Sequence, residues 1–204
     1  KVSTKLKLLL TLAKKADYLI IVGAMANNFL LYKHLPIGKS LIENDAHALI
    51  KNIYKVSEES GCQILLPLDV GVARTIKSRI AVIKDAISVN TNESIFDVGP
   101  KTIDSIRKIV FQSKLVIWNG PAGAFEHLPF ANGTFAIVNM LAKATEELGV
   151  ITIVGGGESV SAIHGAKVDI SKISYVSTGG GAFLEWISND CSLPGLNAIG
   201  ICNV

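Results

Sequence analysis

Three consecutive glycines occur twice in the chain, at residues 155–157 and 179–181, and each triplet follows a short apolar run. Glycine lets backbone N–H groups approach a ligand closely, and a helix that starts there adds unpaired donors and the positive end of its dipole. Such a turn could also serve only to pack a helix tightly on a sheet. Two such turns in one chain favour a site for the phosphates of a nucleotide.

Two lysines near the start of the chain could contribute positive charge to such a site. Lys1 and Lys5 are four residues apart, which places them on one face of the first turn of a predicted helix. There the two positive charges repel each other and also oppose the helix dipole. Each of these two effects destabilises the helix by about 0.3 kcal/mol, and a bound phosphate would offset them. The alternative, two solvated lysines, stays open because Lys7, Lys14 and Lys15 lie in the same segment.

Two carboxylates have neighbours that suggest a role. The segment 118–126 reads WNGPAGAFE and joins the amide of Asn119, a rigid Gly-Pro turn and Glu126. A carboxylate beside an apolar pocket can accept hydrogen bonds from both hydroxyls of a ribose. Glu158, directly after a glycine triplet, could bind Mg²⁺ through a carboxylate oxygen, or could be a first-turn acid that the helix dipole favours.

Other well-known motifs are absent. Gly-Lys-Ser at 38–40 would need a glycine at position 33 to form a Walker A loop, and Lys33 stands there. A dinucleotide fingerprint that started at either glycine triplet would end on Val160 or Leu184 instead of glycine. A nicotinamide-dependent dehydrogenase is therefore weakly supported. The four histidines show no nucleophile or metal-ligand spacing, and we expect them on the surface or on helix flanks.

Apolar, β-branched runs alternate with longer segments of helical period. Strands are predicted over Tyr18–Val22, Gln63–Leu66, Ser94–Phe96, Leu115–Trp118, Val150–Val154 and Ile173–Val176. Helices are predicted over Ser3–Lys15, Glu43–Ser60, Thr102–Gln112, Ala131–Glu147 and Gly180–Ile187. This alternation predicts one α/β domain, a doubly wound, mostly parallel sheet with helices on both faces, similar to a Rossmann fold. Alternating apolar and polar residues over 69–92 predict an antiparallel excursion or edge hairpin.

The predicted sheet gives the glycine-bearing turns a common location. They follow five strands, at residues 23–27, 97–100, 119–123, 155–159 and 177–181. The carboxyl ends of parallel strands lie along one edge, where ligands bind in open α/β sheets. We therefore expect all five turns to meet in one cleft.

Composition excludes several classes of protein. Hydrophobic residues make up 49% of the 204 residues and charged residues 18%, which excludes a disordered chain. The net charge of +3 is scattered, so no nucleic-acid partner is expected, and no apolar run is long enough to span a membrane. Three cysteines without metal-like spacing suit the cytoplasm. The chain starts at Lys1 without a secretion leader, and we expect it to be cut from a longer protein.

Ordered motifs along the whole chain resemble the C-terminal half of phosphoglycerate kinase. The most specific are WNGPAGAFE at 118–126 and STGGGAFLE at 177–185. The others are KVSTK at 1–5, MANNF at 25–29, GKSL at 38–41, LPLD at 66–69, DVGPKT at 97–102, VGGGES at 154–159 and LPG at 193–195.

The resemblance implies a glycolytic enzyme that transfers the acyl phosphate of 1,3-bisphosphoglycerate to Mg·ADP and gives 3-phosphoglycerate and ATP. It implies a monomer of two domains joined by a hinge. Residues 1–204 would form the nucleotide-binding domain, and the absent N-terminal domain would bind the phosphoglycerate. By itself the chain is expected to bind ADP or ATP without turnover. A truncated, non-catalytic nucleotide-binding module remains the alternative.

The resemblance also implies roles for individual residues. Lys1 and Lys5 would neutralise the nucleotide phosphates and the transferring group, which the helix start at Gly179, Gly180 and Gly181 would hold in line. The adenine pocket would be lined by Gly23, Ala24, Phe96, Pro121 and Ala124, and the ribose would be bound by Glu126. The phosphates would be contacted by Asn119, Gly156, Gly157 and Ser159. Mg²⁺ would be held by Glu158. Phosphoryl transfer depends on positioning and charge neutralisation, and a site without a nucleophile suits it.

The chain departs from the family pattern at several of these positions. The family usually has Asp where Glu158 stands, and the extra methylene moves the carboxylate by about 1 Å, which matters for a metal with strict geometry. It also usually has glycines where Val22, Ala24 and Ile95 stand, so we expect less space for adenine in this chain.

Overall fold

The computed structural model describes residues 8–177 together with residues 179 and 182. Lys1, Lys5, Gly180 and Gly181 therefore lie outside the described residues, as does nearly all of the predicted Gly180–Ile187 helix. Helical residues 8–12 belong to α1. The other helices are α2 (Gly23–Tyr32), α3 (His47–Ser60), α4 (Pro100–Gln112), α5 (Asn132–Leu148) and α6 (Gly157–Gly165). The strands are β1 (Tyr18–Ile20), β2 (Gln63–Leu65), β3 (Asp69–Ala73), β4 (Val82–Asp85), β5 (Ser94–Val98), β6 (Leu115–Asn119), β7 (Ile151–Gly155) and β8 (Tyr175–Ser177).

Five of these strands form two separate parallel sheets rather than the single sheet predicted. β1 pairs with β2, and β6, β7 and β8 pair in that order, with Trp118 opposite Val154 and Val154 opposite Val176. Helices intervene between the paired strands along the chain, as crossover connections require. The predicted α/β class is confirmed, and because β6, β7 and β8 are parallel, their carboxyl ends lie at one edge.

The antiparallel excursion is also confirmed. β3 is buried along its whole length and pairs antiparallel with β4 on one side and β5 on the other. β5 continues to Val98, so Asp97 and Val98 are strand residues rather than turn residues. The expectation that residues 97–100 lie at the edge of a parallel sheet was therefore wrong. The direction of pairing is set by the connections between strands, which the residues of β5 alone do not encode.

A helix that the sequence analysis did not predict follows β1 directly. α2 includes two asparagines, which are poor helix formers, but both are buried. The Asn27 Nδ2 donates to the carbonyl of Leu41 at 3.0 Å, and the N–H of Glu43 donates to Asn28 Oδ1 at 2.9 Å. These tertiary contacts hold residues 41–43 against α2. The helix predicted from Glu43 accordingly begins only at His47.

The start of α4 is capped by a side chain from β3. Asp69 is 2% exposed, and its Oδ1 accepts from the N–H of Thr102 at 2.8 Å while its Oδ2 accepts from the N–H of Lys101 at 3.0 Å. Gly99 must be small, because a Cβ there would lie 2.3 Å from the Asp69 Cγ. The antiparallel sheet and α4 are therefore fixed to each other.

Candidate functional site

The glycine turn between β7 and α6 has a conformation that requires glycine. Gly156 has φ +98° and ψ 144°, a region that L side chains rarely adopt, and α6 begins at the next residue. The N–H of Gly156 donates to the carbonyl of Ser177 at 3.0 Å, which joins this turn to the end of β8. Gly157 is exposed, and a Cβ there would meet nothing within 4 Å. The turn thus presents the open N-terminus of a helix.

The loop of residues 119–126 is joined to this turn by two side chains. The Asn119 Nδ2 donates to the carbonyl of Gly155 at 2.8 Å. The N–H of Gly120 donates to the Ser159 Oγ, also at 2.8 Å. Asn119 and Ser159 were predicted to contact phosphates; in the structure each of them connects the two turns. Ser159 is fully buried.

The other side of the 119–126 loop contacts β5 and α5. The N–H of Ala124 donates to the carbonyl of Phe96 at 2.8 Å. The Thr134 Oγ1 accepts from the N–H of Ala122 at 3.0 Å and from that of Gly123 at 3.2 Å. Thr134 was not predicted from the sequence, because nothing in the local pattern marks a threonine in the first turn of a helix as a partner of a loop about ten residues earlier.

The start of α2 reaches the same loop. Gly23 has φ +65°, and a Cβ there would lie 2.9 Å from the carbonyl oxygen of Pro121. The turn after β1 is therefore packed against the loop after β6. The predicted residues Gly23, Pro121, Ala124 and Phe96 are thus connected through contacts with this loop.

Exposure separates the predicted site residues into three groups. Ser159 is buried, and the partly buried residues are Gly23, Phe96, Asn119, Pro121, Ala124 and Gly156. The exposed residues are Ala24, Glu126, Gly157, Glu158 and Gly179. The N–H of Gly179 donates to the Ser177 Oγ at 3.2 Å. The partly buried residues would form the walls of a cleft, and the exposed ones would lie along its rim.

Glu158 offers one hard oxygen donor for a metal. It lies exposed in the first turn of α6, beside Gly157. Among the described residues, no group of three or more His, Cys, Asp and Glu side chains could hold a metal ion. A single carboxylate fits Mg²⁺, which proteins commonly bind through one or two carboxylates together with substrate phosphates.

Asp97 is a buried carboxylate that the sequence analysis did not assign to a site. It is 3% exposed; Oδ2 accepts from the N–H of Gly133 and Oδ1 from that of Val98, both at 2.9 Å. Burial raises the pKa of Asp97 to about 7, and the two N–H donors act in the opposite direction. A Cβ on Gly123 would lie 2.6 Å from Oδ1. Asp97 therefore packs β5 against both the 119–126 loop and the start of α5.

A cavity of about 280 Å³ lies on the other side of Asp97. Its walls include Ile83, Pro100, Ile103 and Arg107, and none of the predicted nucleotide contacts. No helix in the described part of the chain is long and apolar enough to cross a membrane.

Comparison with known proteins identifies the family. The family model described as phosphoglycerate kinase matches residues 1–190. The chain belongs to the phosphoglycerate kinase family. It is 42% identical over 199 residues to the phosphoglycerate kinase of a Wolbachia from Brugia malayi, and 42% identical over 200 residues to that of Zymomonas mobilis. Each match covers 98% of this chain and 50% of the relative.

Solved phosphoglycerate kinases share the fold. The structure from Coxiella burnetii matches with a TM-score of 0.88 and 40% identity, over 97% of this chain and 50% of that one. The structure from Pyrococcus horikoshii matches with a TM-score of 0.77 and 30% identity, over 98% of this chain and 50% of that one. The chain thus spans about half the length of the phosphoglycerate kinases it matches. Membership of this kinase family overturns the dehydrogenase alternative.

Proposed function

We propose that this chain is the nucleotide-binding half of a phosphoglycerate kinase. The complete enzyme would transfer the acyl phosphate of 1,3-bisphosphoglycerate to Mg·ADP, in the cytoplasm and as a monomer. One observation carries the proposal: the turns after β1, β6 and β7 contact one another, from Gly23 through Pro121 and Gly120 to Ser159, and Gly156 connects them to Ser177 at the end of β8. Such a row of turns at the carboxyl edge is where α/β folds bind nucleotides.

The α6 N-terminus would bind the phosphates. The N–H groups in the first turn of a helix have no partners within the helix, and the dipole favours an anion there. Gly156 gives the turn its positive-φ conformation, and the open space at Gly157 would let a phosphate oxygen approach the backbone. Asn119 fixes the neighbouring loop through its bond to Gly155.

The 119–126 loop would bind the nucleoside. Pro121 and Ala124 are partly buried beside Gly23 and Phe96, which provides apolar surface for adenine. Ala24 would border the same pocket. Glu126 is exposed two residues after Ala124, where its carboxylate could accept hydrogen bonds from both ribose hydroxyls.

Glu158 would hold Mg²⁺ together with the nucleotide phosphates. The metal would supply charge neutralisation at those phosphates. Lys1 and Lys5 would neutralise the transferring group, and Gly179 and Gly180 would align it. The protein provides position and charge rather than a nucleophile, which is what phosphoryl transfer needs.

The chain by itself would bind nucleotide without turning over. The second substrate, the phosphoglycerate, would be held by the half of the relatives' length that this chain does not cover. Without that half, the reacting groups are not brought together and water is not excluded.

Calorimetric titration with ADP, with and without Mg²⁺, tests this proposal. We expect one ADP per chain, with affinity that rises when Mg²⁺ is present. AMP, which lacks the phosphate that α6 would bind, is the matched control and should bind at least tenfold more weakly, about 1.4 kcal/mol. Equal affinity for ADP and AMP, or no binding of ADP, would contradict the proposal. Conversion of 3-phosphoglycerate by this chain alone would contradict the expected lack of turnover.

A further inference from the structure

The hydroxyl of Thr134 fixes the middle of the 119–126 loop. Thr134 is fully buried in the first turn of α5, a helix of 17 residues. Its Oγ1 accepts from two successive backbone amides, those of Ala122 at 3.0 Å and Gly123 at 3.2 Å. One oxygen thus sets the direction of two N–H groups, and it is attached to a long helix in the core.

The two amides depend on this oxygen. Ala122 is 1% exposed, so its N–H is shielded from water, and no other hydrogen bond of either amide is present among the described residues. A buried donor that loses its acceptor bears the full cost of its desolvation. Without the hydroxyl, residues 122 and 123 would have to turn toward another acceptor.

The surroundings turn such a change into a displacement of the whole loop. A Cβ on Gly123 would lie 2.4 Å from the carbonyl oxygen of Phe96, so the loop is packed closely against β5. Residue 124 donates to that same carbonyl, and residue 121 contacts the start of α2. Movement at residues 122–123 therefore moves Pro121 and Ala124, the two residues proposed to contact adenine.

We infer that Thr134 is a positioning residue for nucleotide binding: its hydroxyl holds Pro121 and Ala124 in the geometry that the adenosine requires, without contacting the nucleotide. This inference rests on the proposed function. It assigns a specific role to a side chain on α5 rather than to the loop itself.

The test compares Thr134→Val with a matched control on the same helix. Valine has nearly the same shape as threonine but removes the acceptor. Thr145→Val makes the same change near the other end of α5, where the hydroxyl contacts the Leu141 carbonyl and the Thr152 hydroxyl instead of the loop. Three quantities are measured in the 204-residue chain: the dissociation constant for Mg·ADP, the urea midpoint, and the amide hydrogen exchange of Ala122 and Gly123.

We expect Thr134→Val to weaken ADP binding about tenfold and to speed exchange at residues 122 and 123. Thr145→Val should change ADP affinity less than twofold, even if its urea midpoint falls as far as that of Thr134→Val. Thr134→Ser, which keeps the hydroxyl, should restore both ADP affinity and slow exchange. If Thr134→Val does not fold, Thr134→Cys, with its weaker sulfur acceptor, should show the same two effects to a smaller extent.

Two results from the variants would overturn the inference. One is unchanged exchange at residues 122 and 123 in the Thr134 variants. The other is a loss of ADP affinity that follows the urea midpoint equally in the Thr134 and Thr145 variants, because this would be a general effect of stability. Failure of the unmodified chain to bind ADP would overturn the proposed function and the nucleotide role of Thr134, while the exchange data would still decide whether Thr134 fixes the loop.

Discussion

Ser159 on α6 accepts a hydrogen bond from the backbone N–H of Gly120, 39 residues earlier in the chain, at 2.8 Å. Ser159 is fully buried, so its hydroxyl does not contact water. A hydroxyl in the first turn of one glycine-led helix thus fixes the start of the loop that follows the neighbouring strand. Ser159 therefore has a structural role in the cleft in addition to the phosphate contact proposed for it.

Replacing Ser159 by alanine should lower both stability and nucleotide affinity. The Gly120 amide would lose its acceptor, and we expect a loss of about 2 kcal/mol in the free energy of unfolding. ADP affinity should fall at least tenfold. Urea denaturation and calorimetry provide the two values. Ser161→Ala is the control, because Ser161 lies on the same helix but is exposed. Similar effects of both variants would contradict the role given to Ser159.

Gly157→Ala should separate binding from stability. A Cβ at this position would meet nothing within 4 Å, so the fold should accept alanine with an unfolding midpoint that is unchanged or slightly higher. If phosphate approaches the backbone here, the methyl group should lower ADP affinity about tenfold. Calorimetry and thermal unfolding measure the two effects. Unchanged ADP affinity would show that phosphate does not approach Gly157.

Glu158→Asp should strengthen Mg²⁺-dependent nucleotide binding. The longer side chain of glutamate places its carboxylate about 1 Å further from the backbone, and Mg²⁺ requires near-ideal distances. We therefore expect a lower dissociation constant for Mg·ADP and no change for ADP in the presence of EDTA. Glu126→Asp is the control, because it shortens the other carboxylate side chain, the one proposed to bind the ribose. It should weaken ADP binding both with and without Mg²⁺. Equal affinity of Glu158→Asp and the unmodified chain for Mg·ADP would contradict the expectation.

Asp97 should make stability depend on pH. Its pKa is raised to about 7 by burial, against about 3.9 in an unfolded chain, so the folded state binds more protons between those values. The free energy of unfolding should therefore fall as pH rises from about 4 to about 7, by at most about 1.4 kcal/mol per pH unit from this group. Asp97→Asn should remove that contribution to the slope.

Urea denaturation at several pH values between 5 and 8 measures this effect. The control is Asp104→Asn, at an exposed position on α4, which should keep the slope. A slope that is the same in Asp97→Asn and the unmodified chain would contradict the assignment to Asp97.

Asp69→Asn should destabilise the fold through the start of α4. The carboxylate of Asp69 now accepts hydrogen bonds from the N–H groups of Lys101 and Thr102. In asparagine the NH₂ group would face one of these two donors, and that hydrogen bond would be lost. We expect a loss of about 2 kcal/mol in the free energy of unfolding, measured by urea denaturation. Asp169→Asn is the control, because Asp169 caps an exposed turn through a single bond to Ser171 and should cost less than about 1 kcal/mol. An equal cost for both would contradict the importance of the buried cap.

Local sequence patterns were sufficient for the parts of the fold that neighbouring residues determine. Periodicity placed α5 within one residue at each end, over Asn132–Leu148, and located β6 and β7 within one residue at each end. The alternating segment after residue 69 was correctly predicted as antiparallel. The ordered motifs were sufficient to predict the family, which the family match confirms.

Long-range contacts decided the rest. The direction of β5 depends on its pairing with β3, and α2 forms around two buried asparagines whose partners are residues 41 and 43. The sequence alone predicted that Asn119, Gly156 and Ser159 lie close together, but it could not show that Ser159 is bonded to Gly120 or that Thr134 holds two loop amides. The physical reason is that the spacing of glycines indicates only which conformations the backbone can adopt locally. Which donor meets which acceptor is fixed only when separate helices and strands pack together.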